Sequence, residues 1–318
     1  AYNGCNDMEP LTINYQILYV QQKGTVVRDL SYSFYTNIYT GADISVLSNH
    51  LFSGHSLVEW TYAEEPFKIV WAVRDDGALL SLTYLKEQEV AGWAKHTTDG
   101  LFKSISSIQE DQEDAVYAVI ERNIGGETIK FIERLHSRLM AGPEDAFFVD
   151  CGVSYSGTPE DTFSGLDHLE GETVAILGDG NVFPSQVVEN GRVMLSQEVS
   201  KAAIGLAIPN PQLQTLYLDM GNEANTIQGK RKNIVAMTAR VTETRGLWMG
   251  QDFTNMDEFK DRDLETIGEP IELYTGDQRM VIPGGWTVEG QMCLEQRSPL
   301  PATVLGVIPE FESGDDAR

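Results

Sequence analysis

Residues equipped for chemistry are sparse in this chain, and their spacing decides what they offer. There are five histidines: His50, His55, His96, His136 and His168. An imidazole-based metal centre needs two of them at i, i+2 or i, i+4 with a third ligand nearby. His50 and His55 are five apart with Gly54 between them, so the spacing does not aim both rings at one ion. His96 and Asp99 have the types of an acid–base pair. Asp99-Gly100 is turn chemistry, however, and the two read as a strand-end histidine beside a turn aspartate. A hydrolase elbow requires Gly-x-Ser-x-Gly at a strand-to-helix turn. In Gly152-Val153-Ser154-Tyr155-Ser156-Gly157 the second glycine comes one position late, and no helical pattern follows. Glycan cleavage would need two carboxylates facing each other across roughly 5 to 10 Å. Acids are available at Glu64-Glu65, at Asp75-Asp76 and along Glu110-Asp111-Gln112-Glu113-Asp114. Asp75-Asp76-Gly77 is a turn first, and residues 110–114 read as a solvated charge run joining two sheets. Neither a phosphate loop nor Gly-x-Gly-x-x-Gly occurs. No catalytic, cofactor-binding or metal-ligating residue is assigned, and the chain is not expected to be an enzyme.

Other side chains that often mark sites have structural readings. Trp60, Trp71, Trp93, Trp248 and Trp286 fall mostly on strand patterns and are expected to pack cores. Trp286, beside Pro283-Gly284-Gly285, is the one expected to be exposed. Cys5, Cys151 and Cys293 are too few and too far apart for a disulfide framework or a zinc site. Cys151 and Cys293 sit in apolar strand contexts and are expected to be buried, inert thiols. Lys230, Arg231 and Lys232 form the densest basic cluster, which reads as a solvated turn or strand end.

The elements that must hold these residues are strands. Three segments read as hairpins: 17–20 with 26–32, turning at Lys23-Gly24; 69–73 with 79–85, turning at Asp75-Asp76-Gly77; and 115–120 with 128–135, turning at Ile124-Gly125-Gly126. Asp-Gly and Gly-Gly supply the positive φ that tight hairpin turns demand. Residues 90–95 and 101–108, separated by Thr98-Asp99-Gly100, complete four strands with the second hairpin. Repeated four-strand groups of about 45 residues are the pattern of propeller blades, which stack because each buries its faces on neighbours. Ala141-Gly142-Pro143 breaks this array. Beyond it, strands at 173–177, 182–188, 192–195 and 202–208 suggest a small β-barrel over 165–208, closed off by Pro209-Asn210-Pro211. It reads as an insertion, so its flanks, 147–151 and 213–220, are expected to share a sheet. Further strands are expected at 233–247, 271–275, 280–282, 288–296 and 302–308, with a short surface helix or loop at 255–263. The expected fold is therefore all-β. Propeller-like blades occupy 1–142, a β-sandwich-like domain is formed by 143–164 and 209–318, and the barrel occupies 165–208.

The chain has 318 residues, 42% of them hydrophobic, which suffices for more than one core. Its net charge is −25. Residues 1–150 hold 11 Lys/Arg against 22 Asp/Glu, and residues 151–318 hold 12 against 26. Proteins that grip nucleic acid by its phosphates need basic surfaces, so measurable duplex binding at physiological salt is not expected. No apolar run approaches the roughly 20 residues of a membrane span. The sequence starts at Ala1 without a Met or a signal-peptide pattern, and reads as a processed or truncated chain.

Several phrases resemble one family. They are Asp43-Ile44-Ser45-Val46-Leu47, then Glu64-Glu65-Pro66-Phe67, Val70-Trp71-Ala72-Val73-Arg74-Asp75-Asp76-Gly77, Leu82-Thr83-Tyr84 and Glu87-Gln88-Glu89-Val90. Further on come Gly165-Leu166-Asp167-His168-Leu169-Glu170-Gly171, Leu177-Gly178-Asp179-Gly180, Ile204-Gly205-Leu206, Thr226-Ile227-Gln228-Gly229, Thr244-Arg245-Gly246-Leu247-Trp248 and residues 301–309. In this order they are similar to the tail tube, or nozzle, proteins of podovirus-type phages (tail tubular protein B-like), across nearly the whole chain. The resemblance implies a virion structural protein of the tail. It would form a ring, six-fold in the family, that conducts DNA during ejection and meets an adaptor and fibres or spikes. It also implies that an N-terminal part precedes Ala1, which would account for an unclosed propeller. Two other classes stay open at this point: a host-surface module binding a glycan or protein, marked by an exposed aromatic patch, and a glycan depolymerase.

Overall fold

The computed structural model describes residues 4–35, 37–209, 211–219, 226–260, 272–282 and 284–316. The chain is all-β; among the described residues it forms six small antiparallel sheets, in two units, residues 1–137 and 138–318.

The first unit holds three sheets. Strands β1 (Leu11–Ile13), β2 (Gln16–Val20), β3 (Val27–Ser33) and β4 (Ile38–Thr40) form one in sequential order. Strands β5 (Leu57–Ala63), β6 (Ile69–Arg74), β7 (Leu79–Leu85) and β8 (Val90–His96) form the second. Strands β9 (Leu101–Glu110), β10 (Glu113–Ile124) and β11 (Glu127–Arg134) form the third, ordered β11-β10-β9. Each of the three expected hairpins is an antiparallel pair in a sheet of its own.

The sequence shows why the second sheet is central. Ile69-Val70-Trp71-Ala72-Val73 is apolar at every position rather than at alternate ones, the mark of a strand covered on both faces. Val70, Ala72, Leu80 and Leu82 pack with Ile13, Leu18, Val20 and Val27 of the first sheet. Trp71, Val73 and Leu79 point the other way, onto Phe102, Ile105, Val116, Ala118 and Ile120 of the third. Burying each such Val, Leu or Ile contributes about 1.5–3 kcal/mol.

The expected four-strand group shifts by one strand. Leu57–Ala63, not in the expected pattern, opens the second sheet, while Leu101–Glu110 belongs to the third. The Thr98-Asp99-Gly100 turn is a step between sheets. The buried guanidinium of Arg122 on β10 donates to the Thr98 hydroxyl (2.8 Å) and the Asp99 carbonyl (2.7 Å), holding that step against the third sheet. Residues 110–114 likewise do not join sheets: they are the β9–β10 hairpin, with Glu110 opposite Glu113.

The second unit also holds three sheets. Strands β12 (Asp150–Ser164), β13 (Thr173–Gly178), β14 (Asn181–Val187) and β15 (Arg192–Leu206) are ordered β12-β15-β13-β14. The barrel expected over 165–208 is thus a sheet with β12 and β14 on its edges, and it is not self-contained. Residues 192–195 and 202–208, expected as two strands, belong to one long β15 up to Leu206, and the residues before Gly165 form β12. Strands β16 (Gln212–Gln214), β18 (Leu247–Asp252), β19 (Asn255–Glu258) and β21 (Cys293–Gln296) form the order β16-β21-β18-β19. Strands β17 (Lys230–Thr244), β20 (Tyr274–Val281) and β22 (Thr303–Asp316) form β20-β17-β22. The last two sheets share one core. Ile234, Met237, Ala239 and Val241 of β17 meet Leu247, Met249 and Leu294.

The flanks expected to share a sheet do not. Asp150 pairs with Leu206 on β15, whereas Leu213 pairs with Leu294. Strand β15 is long enough to recruit β12 along its whole length, which leaves 212–214 to another edge. Residues 255–258, expected as helix or loop, form strand β19. Asp252 accepts the Thr254 and Asn255 amides (2.8 and 2.9 Å) and sets a tight hairpin there. Residues 261–263, together with Asn210, Met220, Ile271 and Pro283 of the other expectations, lie outside the described residues.

Candidate functional site

Folding gathers one set of groups that the sequence kept apart. His55 closes the loop before β5, and Asp75 and Asp76 form the β6–β7 turn. His55 Nδ1 lies 3.3 Å from Asp75 Oδ1 and 3.7 Å from Asp76 Oδ2, and the three ligand atoms fall within 4.8 Å of one another. His50, the partner considered from spacing, lies in the short 3-10 segment Val46–Leu51 and is not in this group. The carboxylates are already engaged. Asp75 Oδ2 accepts the Ser56 amide (3.1 Å) and hydroxyl (2.8 Å). The Arg74 guanidinium grips Asp76 from two nitrogens, with Nε 2.9 Å from Oδ1, and its Nη1 donates to the Leu51 carbonyl. Arg74 holds the Asp76 carboxyl well down, at about 2. The Ser56 hydroxyl and amide, and then His55, lower that of Asp75. A cation here would have to displace a buried arginine. The arrangement works as a clamp fastening the loop before β5 to the β6–β7 turn.

The other groups singled out from sequence are also absorbed into structure. His96 Nε2 lies 2.7 Å from the Ser81 hydroxyl and its ring 4.9 Å from that of Trp71, while the Asp99 carbonyl accepts from Arg122. Ser154 stands on β12 opposite Ala203, away from any strand-to-helix turn. Asp114 accepts the amides of Glu64 (2.6 Å) and Glu65 (3.1 Å), and Glu110 accepts the Tyr117 hydroxyl (2.6 Å) and the Arg134 guanidinium (3.0 Å). Trp60 and Trp71 are buried, and Trp286 is about half exposed (48%). Cys293 is buried, and burial raises its thiol pKa, whereas Cys151 is only partly covered. Lys232 departs from the solvated reading. It is fully buried on β17, with Nζ 2.8 Å from the Val288 carbonyl and 3.3 Å from Asp219. In the second unit a cavity of about 130 Å³ is lined by Phe148, Ile208, Pro211, Pro299 and Leu300. The arginine at its rim, Arg297, is bound to Glu295 (2.6 Å) and stacked 4.0 Å over Trp248.

The most conspicuous surface feature was not singled out from sequence. The β3–β4 hairpin carries Tyr32, Phe34, Tyr35, Ile38 and Tyr39, all exposed, with Phe34 at 84% and Tyr35 at 99%. Tyr32 and Tyr39 are directly paired across the strands, with ring centroids 5.3 Å apart, edge to face. The Tyr32 hydroxyl donates to the Asn37 side chain. Residues 30–42 hold no charged side chain, in a chain of net charge −25.

The base of this hairpin is fixed as firmly as its tip is open. Asp29 on β3 is fully buried. Its carboxylate accepts from the Lys86 ammonium, the Tyr84 hydroxyl (3.1 Å) and the Ala42 amide (2.5 Å). Burial alone would raise its pKa, but the bonds from Lys86, the Ala42 amide and Tyr84 outweigh burial and lower it. Gly41 lies so close to β3 that a Cβ there would sit 2.0 Å from the Asp29 carbonyl oxygen. The signal that could have found this feature is the run Tyr32, Phe34, Tyr35, Tyr39 without a single charge. A strand pattern assigns half of such residues to a core, and that assignment hid them.

Among the described residues, no helix is long and apolar enough to cross a membrane. No family model matches the sequence, and no curated protein matches it.

Proposed function

We propose that the chain is a structural subunit of a short phage tail, a tube or nozzle component that conducts DNA without binding it and carries fibres or spikes, and that it is not an enzyme. The observation that carries this reading is a contrast. The candidate catalytic groups are spent on holding turns and sheets together, while an anchored, uncharged aromatic hairpin faces outward. That is the surface of a protein whose work is contact. The ordered phrases that resemble podovirus-type tail tube proteins support the same reading. We read the three stacked sheets of the first unit as propeller-like blades, and the two sheets sharing a core in the second as β-sandwich-like.

Acidity in both halves suits a conduit. Non-specific DNA binding draws on counterion release by Lys and Arg, and acids outnumber bases about twofold here. Imaging of intact tails with the chain labelled tests the assignment, and a label absent from the tail overturns it. Fluorescence anisotropy with duplex DNA tests the conduit: no binding is expected at physiological salt. Micromolar affinity that falls steeply with added salt would reveal a basic stripe and end that account.

A further inference from the structure

The cavity of about 130 Å³ in the second unit lies where β13 and the end of β15 meet the segment between β21 and β22. Its walls are kept apart by backbone that has little freedom to close. Pro211 and Pro299 both line it. A proline ring fixes φ and leaves no N–H that would call for water. The neighbouring backbone is committed elsewhere: the Gln296 amide donates to the Pro211 carbonyl (3.1 Å) and the Leu300 amide to the Ser298 carbonyl (2.7 Å). Leu300 is itself held in a small core with Ala146, Leu177 and Ala203. Ala207, Pro211 and Ala302 are exposed, so the cavity has a mouth and a guest can enter without the fold opening.

The chemistry of the walls narrows the guest. The large polar side chains there are already spent. Gln296 donates from Nε2 to the Arg245 carbonyl (2.7 Å) and accepts the Ser298 amide at Oε1 (3.0 Å). Arg297 is bound to Glu295 and stacked on Trp248, so it has little charge to offer an anion. Ser298 adds only a neutral hydroxyl. Among the described residues, no side-chain atom that is buried without a hydrogen bond lines the cavity. What remains is carbon, from Phe148, Ala175, Ile208 and Leu300 among others. A charged guest would lose its hydration there without replacement. Size narrows the guest further, since a cavity of about 150 Å³ lined by Leu, Ile and Phe accepts a single benzene.

We propose that this cavity is a binding site for a small, neutral, apolar molecule the size of a single ring, and that its occupancy fastens residues 296–302 to the sheet of β13 and β15. The site is independent of the structural-subunit reading. The test is a titration of the full chain with benzene, followed by amide NMR, with benzoate and benzylammonium as charged controls. Benzene is expected to bind with a dissociation constant on the order of a millimolar. It should shift the resonances of Ala175, Ala207 and Leu300 and raise the melting temperature as the site saturates. Ala207→Leu and Ala302→Leu each put a larger side chain at the mouth, at exposed positions that the fold tolerates. Circular dichroism and melting temperature establish that they are folded. Each is expected to weaken benzene binding at least about tenfold by filling the space. Absence of benzene binding to the wild type overturns the proposal. So does undiminished binding in the folded variants, which would put the ligand elsewhere. Benzoate that binds as tightly as benzene also overturns it, because Arg297 rather than the apolar wall would then hold the guest.

Discussion

The β6–β7 turn and the β3–β4 hairpin belong to the same unit and are built by the same kind of strand pairing, yet they dispose of their side chains in opposite ways. At the first, Arg74, Asp75 and Asp76 are charged and nearly all their polar atoms meet partners within the fold: Ser56, His55, Ala78 and the Leu51 carbonyl. At the second, charged partners stop at the base; nearer the tip the Tyr32 hydroxyl bonds the Asn37 side chain, and the rings of Phe34 and Tyr35 are bare. Polar groups left unpaired in a protein interior are costly, so a charged turn that satisfies itself is explained by folding alone. Exposed rings gain nothing from the fold that displays them. The first region is accounted for by the fold, and the second is not.

The sharpest way to break this comparison is at Arg74. Arg74→Leu leaves the Leu51 carbonyl without its donor and Asp76 without its counter-charge. We expect a loss of about 2 kcal/mol, discounted from the fully buried case because Asp76 is a third exposed. Calorimetry should register a melting temperature lower by roughly 5 to 10 °C. An unchanged melting temperature would show that the turn is not a clamp, and would reopen it as a site.

Acid should act on the same regions more weakly. Asp76, held at about 2, and Asp29, also lowered, are both below their unfolded values. Their contribution is therefore present above the unfolded aspartate value of about 3.9 and is lost as pH falls from there through the folded values. Equilibrium unfolding followed from neutral pH downward should show the first unit weakening between about pH 4 and pH 2. Stability that held constant over that window would contradict both assignments.

The smallest effect is expected at the tip. Phe34→Ser/Tyr35→Ser should change monomer stability by less than about 0.5 kcal/mol, as surface substitutions without internal partners do. Thermal melts of the variant and the wild type should superimpose, and a melting temperature several degrees lower in the variant would mean that the rings are packed rather than bare.

Much of the fold was legible in the sequence because hairpin signals are local. Apolar strands flanking Lys-Gly, Asp-Gly or Gly-Gly turns located 17–32, 69–85 and 115–135. Grouping was not legible. Thr98-Asp99-Gly100 and residues 110–114 are both short polar links. Only the position of Arg122, and the register placing Glu110 opposite Glu113, made one a step between sheets and the other a hairpin. The same holds for β12, whose polar sequence resembles a loop until the length of β15 gives it a ladder to join.

The sequence by itself determined the all-β class, the acidity, the sparseness of chemical groups and the residues that carry a family resemblance, since these follow from composition and from patterns only a few residues long. Tertiary structure alone decided that His55 reaches Asp75 across twenty residues, that Lys232 is buried rather than solvated, and that Tyr32, Phe34, Tyr35 and Tyr39 face outward. Each of these depends on which face of a strand another sheet covers. That is set by contacts distant in sequence, which no local periodicity encodes.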